Sequence, residues 1–188
     1  NSEIGLILSG PFNPVINHST IVNNFQNSSS NPACEVFLDN NFNFFTTSLT
    51  FVNTLISNKD NTVLGIQFAD QNTEVNLFNC NIQNLNQTIT NDNPIITGYG
   101  NIDSDPLFLD TVNGDYSLSN FSPCIGAGLD TSIVPNTDIL GNLRPNPSGS
   151  NPDMGAYEHV LGTYDILGCM DTLATNFDPT ASINDSSI

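Results

Sequence analysis

The sequence predicts an all-β fold of stacked parallel coils, and three observations support that prediction. Helical periodicity is absent before residue 160, whereas short strand-like runs bounded by Asn, Gly, Asp or Pro recur throughout the chain. The 12 Phe residues, together with many Val, Ile and Leu residues, form a composition typical of a buried sheet. Three predicted strands also resemble one another, at 19–24, 53–58 and 79–84.

Alignment of these three strands, STIVNN, NTLISN and NCNIQN, places equivalent residues in columns. In a solenoid each strand pairs with the same strand of the next coil, so inward positions repeat as small or branched apolar residues. An Asn at a strand end tolerates the left-handed conformation that a corner needs. A β-sandwich with three chance look-alikes is the alternative. The columns are Thr20, Thr54 and Cys80, then Val22, Ile56 and Ile82, then Asn24, Asn58 and Asn84.

Composition restricts the partners and the location of the protein. The 188 residues suit one domain with a short appendage, and a net charge of -17 repels phosphate backbones and anionic lipid headgroups. Nucleic acid and membrane surfaces are therefore excluded as partners, and no apolar run approaches the ~20 residues needed to span a bilayer. Only 11% of residues are charged, so the polar surface is mostly Asn, Ser, Thr and Asp, as expected of a secreted or cell-surface protein. The opening NSEIGLILSG reads as a strand and turn, which predicts a longer parent chain.

Four cysteines lie far apart and form no CxxC pair, which argues against a zinc ribbon or a thioredoxin-like motif. Three pairings are possible if all four are oxidised, whereas a buried free thiol is the alternative for the cysteine in a strand-like run, Cys80. The sequence does not decide between them. The four residues are Cys34, Cys80, Cys124 and Cys169.

Downstream of the aligned strands, an ordered set of motifs reads GNIDSDPLFLD, NGDYSLSNFSPCIGAG, DILGNLRP and PDMGAYE. Together with those strands, the set resembles the C-terminal end of secreted right-handed parallel β-helix proteins, the pectate-lyase-like class abundant in Bacteroidota. The resemblance covers residues 10–159. It departs at Gly126, where that class usually has Asp, and at Met154, where Ile is usual.

The resemblance implies a right-handed parallel β-helix with a C-terminal closing segment. PLFLD and DYSLS would add the last strands, and SPCIGAG would turn back across the open end of the coils. An exposed last rung leaves backbone groups and apolar side chains uncovered, so we expect apolar plugs there. In the closing motif GNLRP, Arg144 is expected to form a salt bridge or to cap a carbonyl. The expected plugs are Phe108, Leu118, Ile125 and Tyr157.

The tail GCMDTLATNFDPTASINDSSI resembles a short GCxDxxAxN(Y/F)xPxA module of marine bacterial surface proteins. Ile188 stands where that module has its second Cys, so Cys169 lacks the partner that the module usually supplies. The predicted organisation has three parts: β-helix coils and closing segment at 1–159, a linker at 160–167, and a small acidic module at 168–188.

Catalytic chemistry finds little support in the residue pattern. Cleavage of a uronic acid by a lyase needs a base and a cation, and the only cationic side chains are Lys59 and Arg144. Hydrolysis needs two carboxylates about 5–10 Å apart, and no spacing nominates such a pair. His18 and His159 are expected to be structural. The sequence therefore nominates no catalytic residue.

Calcium is the more credible ligand because hard cations take oxygen donors from loops. Two clusters supply such donors, and the tail cluster is preferred, although Asp in β-loops also caps turns without any metal. We therefore predict a structural calcium ion, without an EF-hand. The predicted ligands are Asp171, Asn176, Asp178 and Asp185 in the tail, and Asp103 and Asp105, with Asp110 nearby, before it.

These observations favour a non-catalytic part of a large exported cell-surface protein, adhesin-like or stalk-like, that contacts a glycan or another surface. The alternative is the C-terminal part of a polysaccharide lyase or glycoside hydrolase whose catalytic coils lie upstream. Fold alone does not choose between them. Stacked Tyr or Phe on a lateral face would favour glycan contact, whereas the presence of 4 Tyr and no Trp argues against a strong sugar platform.

Overall fold

The computed structural model describes residues 4–9, 13–22, 34–39, 47–57, 64–68, 73–85 and 95–185. Within these ranges the chain forms fourteen β-strands and no α-helix. The all-β prediction is therefore confirmed.

Ten of the strands form three parallel sheets. The first nine strands repeat as three units of three, because each strand pairs with the strand three places later in the chain. β10 then adds to the second sheet beside β8. The first sheet is β1 (Ile4–Ser9), β4 (Cys34–Asp39) and β7 (Leu64–Phe68); the second is β2 (Val15–Asn17), β5 (Thr47–Val52), β8 (Thr73–Phe78) and β10 (Ile95–Tyr99); the third is β3 (Thr20–Val22), β6 (Leu55–Ser57) and β9 (Asn81–Ile82).

The motifs expected to add the last strands form a separate hairpin instead. β11 (Phe108–Asp110) pairs antiparallel with β12 (Asp115–Leu118). A turn of only four residues joins them, which is long enough for a hairpin but too short for the crossover that parallel strands need. The third sheet continues through a parallel bridge between Asn81 and Ile102. In the tail, β13 (Leu167–Gly168) pairs in parallel with β14 (Ile183–Asn184).

The register of the third sheet agrees with the sequence alignment in two strands and differs in one. Ile56 pairs with Ile82, as the columns predicted. Ile21, however, takes the place expected for Val22 and pairs with Ile56. The strand is shifted by one residue, so Thr20 pairs with Leu55 rather than with Thr54, as the columns predicted. A slip of one residue exchanges the two faces of a strand, and Ile21 is the side chain that packs against the interior.

All three sheets contribute side chains to one interior cluster. Ile66 comes from the first sheet, Phe51 from the second and Ile56 from the third, and each is at most 1% exposed. Residues alternate between the two faces of a strand, so the neighbours of these side chains point away from the interior. The full cluster is Leu49, Phe51, Ile56, Ile66, Val75, Leu77, Cys80 and Ile82.

A second apolar cluster lies on the outward face of the third sheet. Leu55 is adjacent in sequence to interior Ile56 but packs on the opposite side of β6, against residues from 118–154. The expected plugs therefore cover a lateral face of the sheets rather than their end. Leu118 and Ile125 belong to this second cluster and Phe108 packs against it, whereas Tyr157 is half-buried outside it.

Replacing Phe51 with Ala is expected to lower the free energy of unfolding by about 3–5 kcal/mol, because the fully buried ring leaves a cavity between three sheets. The neighbouring Thr50→Ala lies on the opposite face of β5 and should cost less than about 1 kcal/mol. Urea unfolding of both variants would measure the difference. Equal losses would contradict the assignment of faces.

Candidate functional site

A single residue in the left-handed conformation ends each described strand of the second sheet. His18, Asn53 and Asn79 have φ angles of 44°, 49° and 50°, and Gly100 follows β10 with a φ of 71°. Asn and Gly adopt this conformation more readily than other residues, so the sequence places them where the chain turns toward the third sheet. We call His18, Asn53 and Asn79 the corner column.

The sequence analysis did not predict the corner column. It placed the corner residues after the strands of the third sheet, whereas the corner column precedes those strands. Of the three Asn residues predicted there, Asn84 does adopt a φ of 56°, while Asn24 and Asn58 lie outside the described residues. The signal for the corner column was present, because Asn53 and Asn79 precede Thr54 and Cys80 in the aligned strands.

Amide side chains at this corner hold a segment that runs past all three units, residues 127–133, which we call the strap. Asn79 Nδ2 donates to the Ala127 carbonyl at 2.9 Å. The Asn53 side chain bonds both the carbonyl and the N–H of Leu129, at 2.8 and 2.6 Å. Asn17 Nδ2 donates to the Ile133 carbonyl at 2.5 Å. The strap is thus tied in turn to the third, second and first units.

The PDMGAYE motif docks beside the strap on the first two units. The N–H of Gly155 donates to the Asn53 carbonyl at 2.7 Å, and that of Ala156 donates to Thr20 Oγ1 at 2.9 Å. A Cβ added to Gly155 would lie 2.8 Å from that Thr20 oxygen, and the φ of this residue is 99°. Glycine is therefore required for this close approach.

A buried ion pair organises the closing motifs. Arg144 Nε donates to Glu158 Oε2 at 2.7 Å, and the two side chains are 1% and 0% exposed. The same guanidinium donates to the Gly155 carbonyl at 3.2 Å, so the structural role expected of Arg144 is confirmed. A cation so enclosed cannot reach a substrate.

Two further carboxylates order the backbone around this pair. Asp153 accepts hydrogen bonds from the N–H groups of Gly126 and His159 at 2.7 and 2.6 Å. Burial raises the pKa of Asp153 to about 7, although these two donors oppose the shift. Asp138 accepts from the N–H groups of Leu140 and Glu158 at 2.9 and 3.0 Å. Both carboxylates therefore fix the conformation of the backbone around the ion pair.

Gly126, the position at which the sequence differs from the motifs that it resembles, is required to be small for a steric reason. Its φ is 61°, and a Cβ at this position would lie 2.1 Å from the carbonyl oxygen of Gly162. The segment after PDMGAYE passes so close that the Asp usual in pectate-lyase-like proteins would not fit.

Among the described residues, the rings of both histidines form hydrogen bonds and neither ring bonds a carboxylate side chain. Asn53 Nδ2 donates to His18 Nε2 at 3.0 Å, and His18 Nδ1 lies 2.7 Å from Asn17 Oδ1, a set that a neutral ring satisfies. Burial, with a smaller effect of Arg144, lowers the pKa of His18 to about 3. Burial also lowers the pKa of His159, whose Nδ1 accepts from the Leu161 N–H at 3.1 Å. The structural roles expected of both residues agree with these contacts.

Four of the six predicted calcium ligands accept hydrogen bonds from backbone N–H groups. Asp103 accepts from two backbone N–H groups at 3.0 Å, and Asp105, Asp171 and Asp178 each accept from the N–H two residues ahead at 2.9 Å. Asn176 is exposed, and the Asp185 N–H donates to the Gly168 carbonyl at 2.9 Å.

A calcium ion takes six to eight oxygen ligands, so several of these residues would have to converge. In the described part of the chain, no group of three or more His, Cys, Asp or Glu side chains is placed to hold a metal ion. The residues present therefore fit a calcium ion poorly. Calcium stays a prediction, which melting curves recorded with calcium and with a chelator would decide.

Three of the four cysteines are buried free thiols: Cys80, Cys124 and Cys169. Burial raises the pKa of Cys80 and of Cys124 to about 11, so neither thiol ionises at neutral pH. Asn81 Nδ2 lies 3.1 Å from Cys124 Sγ. The side chain of Cys34 lies outside the described residues.

The outward face of the second sheet carries a ladder of uncharged polar side chains. Thr50, Asn76 and Thr97 are in register on three neighbouring strands. Thr97 Oγ1 donates to Asn76 Oδ1, and Asn76 Nδ2 donates to Ser48 Oγ at 3.0 Å. We call this surface the ladder face, consisting of Val15, Ser48, Thr50, Glu74, Asn76, Phe78, Thr97 and Tyr99.

An aromatic pair stands at one side of the ladder face. Phe78 and Tyr99 are in register on β8 and β10, and their rings meet edge to face with centroids 5.2 Å apart. Tyr99 is 59% exposed. One aromatic pair, arranged edge to face rather than stacked, is therefore present on this lateral face.

No protein-family model matches this chain, and no curated protein or solved structure is significantly similar to it. The resemblance to pectate-lyase-like proteins therefore stays a prediction based on the motifs. In the described residues, no helix is long and apolar enough to cross a membrane.

Two variants of Asn53 should distinguish the stability that comes from its left-handed backbone from the stability that comes from its side-chain hydrogen bonds. Asn53→Gly keeps the left-handed backbone but leaves the Leu129 groups without their partner, so we expect a loss of about 1–3 kcal/mol. Asn53→Ala should lose about 1–2 kcal/mol more, because Ala is strained at a φ of 49°. Denaturant unfolding and hydrogen exchange at Leu129 would measure these effects. Two variants of equal stability would contradict the strain at this corner.

Acid should destabilise the protein through His18. Its pKa is about 3 in the folded chain against 6.5 when unfolded, so the stabilisation present above pH 6.5 is lost as pH falls toward 3. The contribution of Asp153 to stability changes in the opposite direction, because it increases as pH falls from about 7 to 3.8. This contribution is the same in the wild type and in a His18→Asn variant. We expect the variant to lose less stability on acidification, measured by urea unfolding at several pH values. Parallel pH profiles would contradict the role of His18.

Proposed function

We propose that the three repeat units and β10 form a right-handed parallel β-helix. Each unit contributes one strand to each sheet, neighbouring strands are parallel, and the three sheets share one interior cluster. Parallel strands joined by a crossover are right-handed in about 98% of cases, which supports the hand. The segment from residue 102 onward would then cover a lateral face of that helix.

We further propose that the chain is a non-catalytic, adhesin-like or stalk-like part of an exported cell-surface protein. The observation that carries this proposal is the burial of Arg144, since a lyase needs a cation facing its substrate. His18 is neutral and enclosed, so it offers no exposed base. Lys59, the other cationic residue, lies outside the described residues.

The carboxylates argue in the same direction. The side-chain oxygens of Asp103, Asp105 and Asp110 accept hydrogen bonds from backbone N–H groups. Interactions with Asn113 hold the pKa of Asp110 below its usual value, whereas a general acid needs a raised pKa. The alternative, the C-terminal part of a polysaccharide-degrading enzyme, would share this fold, so the two proposals differ in activity alone.

An exported location is proposed on the surface chemistry. A net charge of -17 with only 2 Lys and Arg suits a protein that stays soluble outside the cell and avoids anionic polymers. Repeated parallel units also give a long lateral surface from local contacts, which suits a stalk or an adhesin that belongs to a longer parent chain.

We expect the purified chain to release neither reducing ends nor unsaturated uronates from polygalacturonate, alginate, laminarin or xylan. Reducing-end assays and ultraviolet absorbance would detect hydrolysis and elimination respectively, and a heat-denatured sample serves as the control. Cleavage by the native sample would contradict the proposal. Cleavage retained after both Arg144 and Lys59 are replaced by Gln would in addition locate the chemistry among the carboxylates.

A further inference from the structure

The ladder face is an accessible surface with a regular arrangement. Leu49, Phe51, Val75 and Leu77 point into the interior cluster, so Ser48, Thr50, Glu74, Asn76 and Phe78 face outward. Val52, at the end of β5 on the same face, is only 5% exposed and is not part of the ladder face. Val15 on β2 and Tyr99 on β10 extend this face to both edge strands, at 57% and 59% exposure. The face therefore spans four parallel strands whose rungs repeat every ~4.8 Å.

Its chemistry is that of a surface for uncharged, hydroxyl-rich molecules. Ser, Thr and Asn side chains both donate and accept hydrogen bonds, as sugar hydroxyls do. The Tyr99 ring is held edge-on by Phe78 and leaves most of its area exposed, so a sugar ring can pack on it without reorganisation. Stacking and a row of polar groups are thus combined on one rigid sheet.

The negative charge of the chain favours neutral glycans over anionic ones as ligands of the ladder face. Glu74 is the one charged side chain among the eight residues of the ladder face. The surrounding chain carries a net charge of -17, and Arg144 is enclosed in its ion pair elsewhere. Polyanionic glycans would be repelled by this field, since none of the eight described residues of the ladder face is cationic.

We propose that the ladder face binds neutral polysaccharides, with Tyr99 as its stacking platform. The proposal rests on the adhesive function proposed above, to which it adds a surface and a ligand class. It assigns the sugar-contacting role to the second sheet rather than to the closing segment or to the tail.

The test is affinity electrophoresis of the full chain in gels containing laminarin, xylan, galactomannan or agarose, with polygalacturonate and alginate as anionic counterparts. We expect at least one neutral polysaccharide to retard the wild type and neither anionic one to do so. Tyr99→Ala should weaken binding at least about tenfold, as expected for a central aromatic contact. Tyr99→Phe keeps the ring and should retain binding.

The matched control is Tyr164→Ala, which removes a 38% exposed aromatic ring outside the ladder face and should bind like the wild type. Circular dichroism checks that each variant is folded. Absence of retardation by every neutral polysaccharide, binding only to the anionic ones, or equal binding by Tyr99→Ala would each overturn the assignment. Reducing ends measured on the same samples report separately on the non-catalytic function, so the two proposals fail by different readouts.

Discussion

The left-handed turn at the end of each strand of the second sheet is the constraint on which the rest of the structure depends. It directs the chain from the second sheet into the third, so that Phe51 and Ile56 share one interior. The Asn residues that satisfy this backbone geometry also carry an amide side chain outward. That amide then bonds the strap, which links the local turn to the packing of a segment far along the chain.

The third sheet is covered on both faces, and this explains its composition. Leu55 and Ile56 are adjacent and both fully buried, which a sheet with one solvated face does not require. Asn81 on the next rung is also buried and bonds the Ser104 carbonyl and N–H, at 3.0 and 3.1 Å. The second sheet keeps polar outward side chains at Ser48, Thr50 and Asn76, whereas the strap bonds it at its end, through Asn17.

Local rules predicted much of this fold, and tertiary contacts determined the remainder. Strand spacing and apolar alternation predicted the all-β class and the pairing of Ile56 with Ile82, since both follow from neighbours in one unit. The first strand was misaligned because Ile21 and Val22 are both branched apolar residues that either face would accept. The lateral position of Ile125 depends on contacts with Leu55, 70 residues earlier, which no local pattern encodes. For the site, the motif predicted the role of Arg144, whereas the turns that occupy Asp103 and Asp171 became visible only in the fold.

The strap has a mechanical consequence. Stacked units joined only to their neighbours open one after another when the ends of the stack are pulled apart. The side-chain amides of Asn17, Asn53 and Asn79 donate hydrogen bonds to one continuous backbone segment, the strap. These hydrogen bonds lie side by side along that direction, so tension loads them together in shear. The three units would therefore resist extension as a single body until the strap detaches.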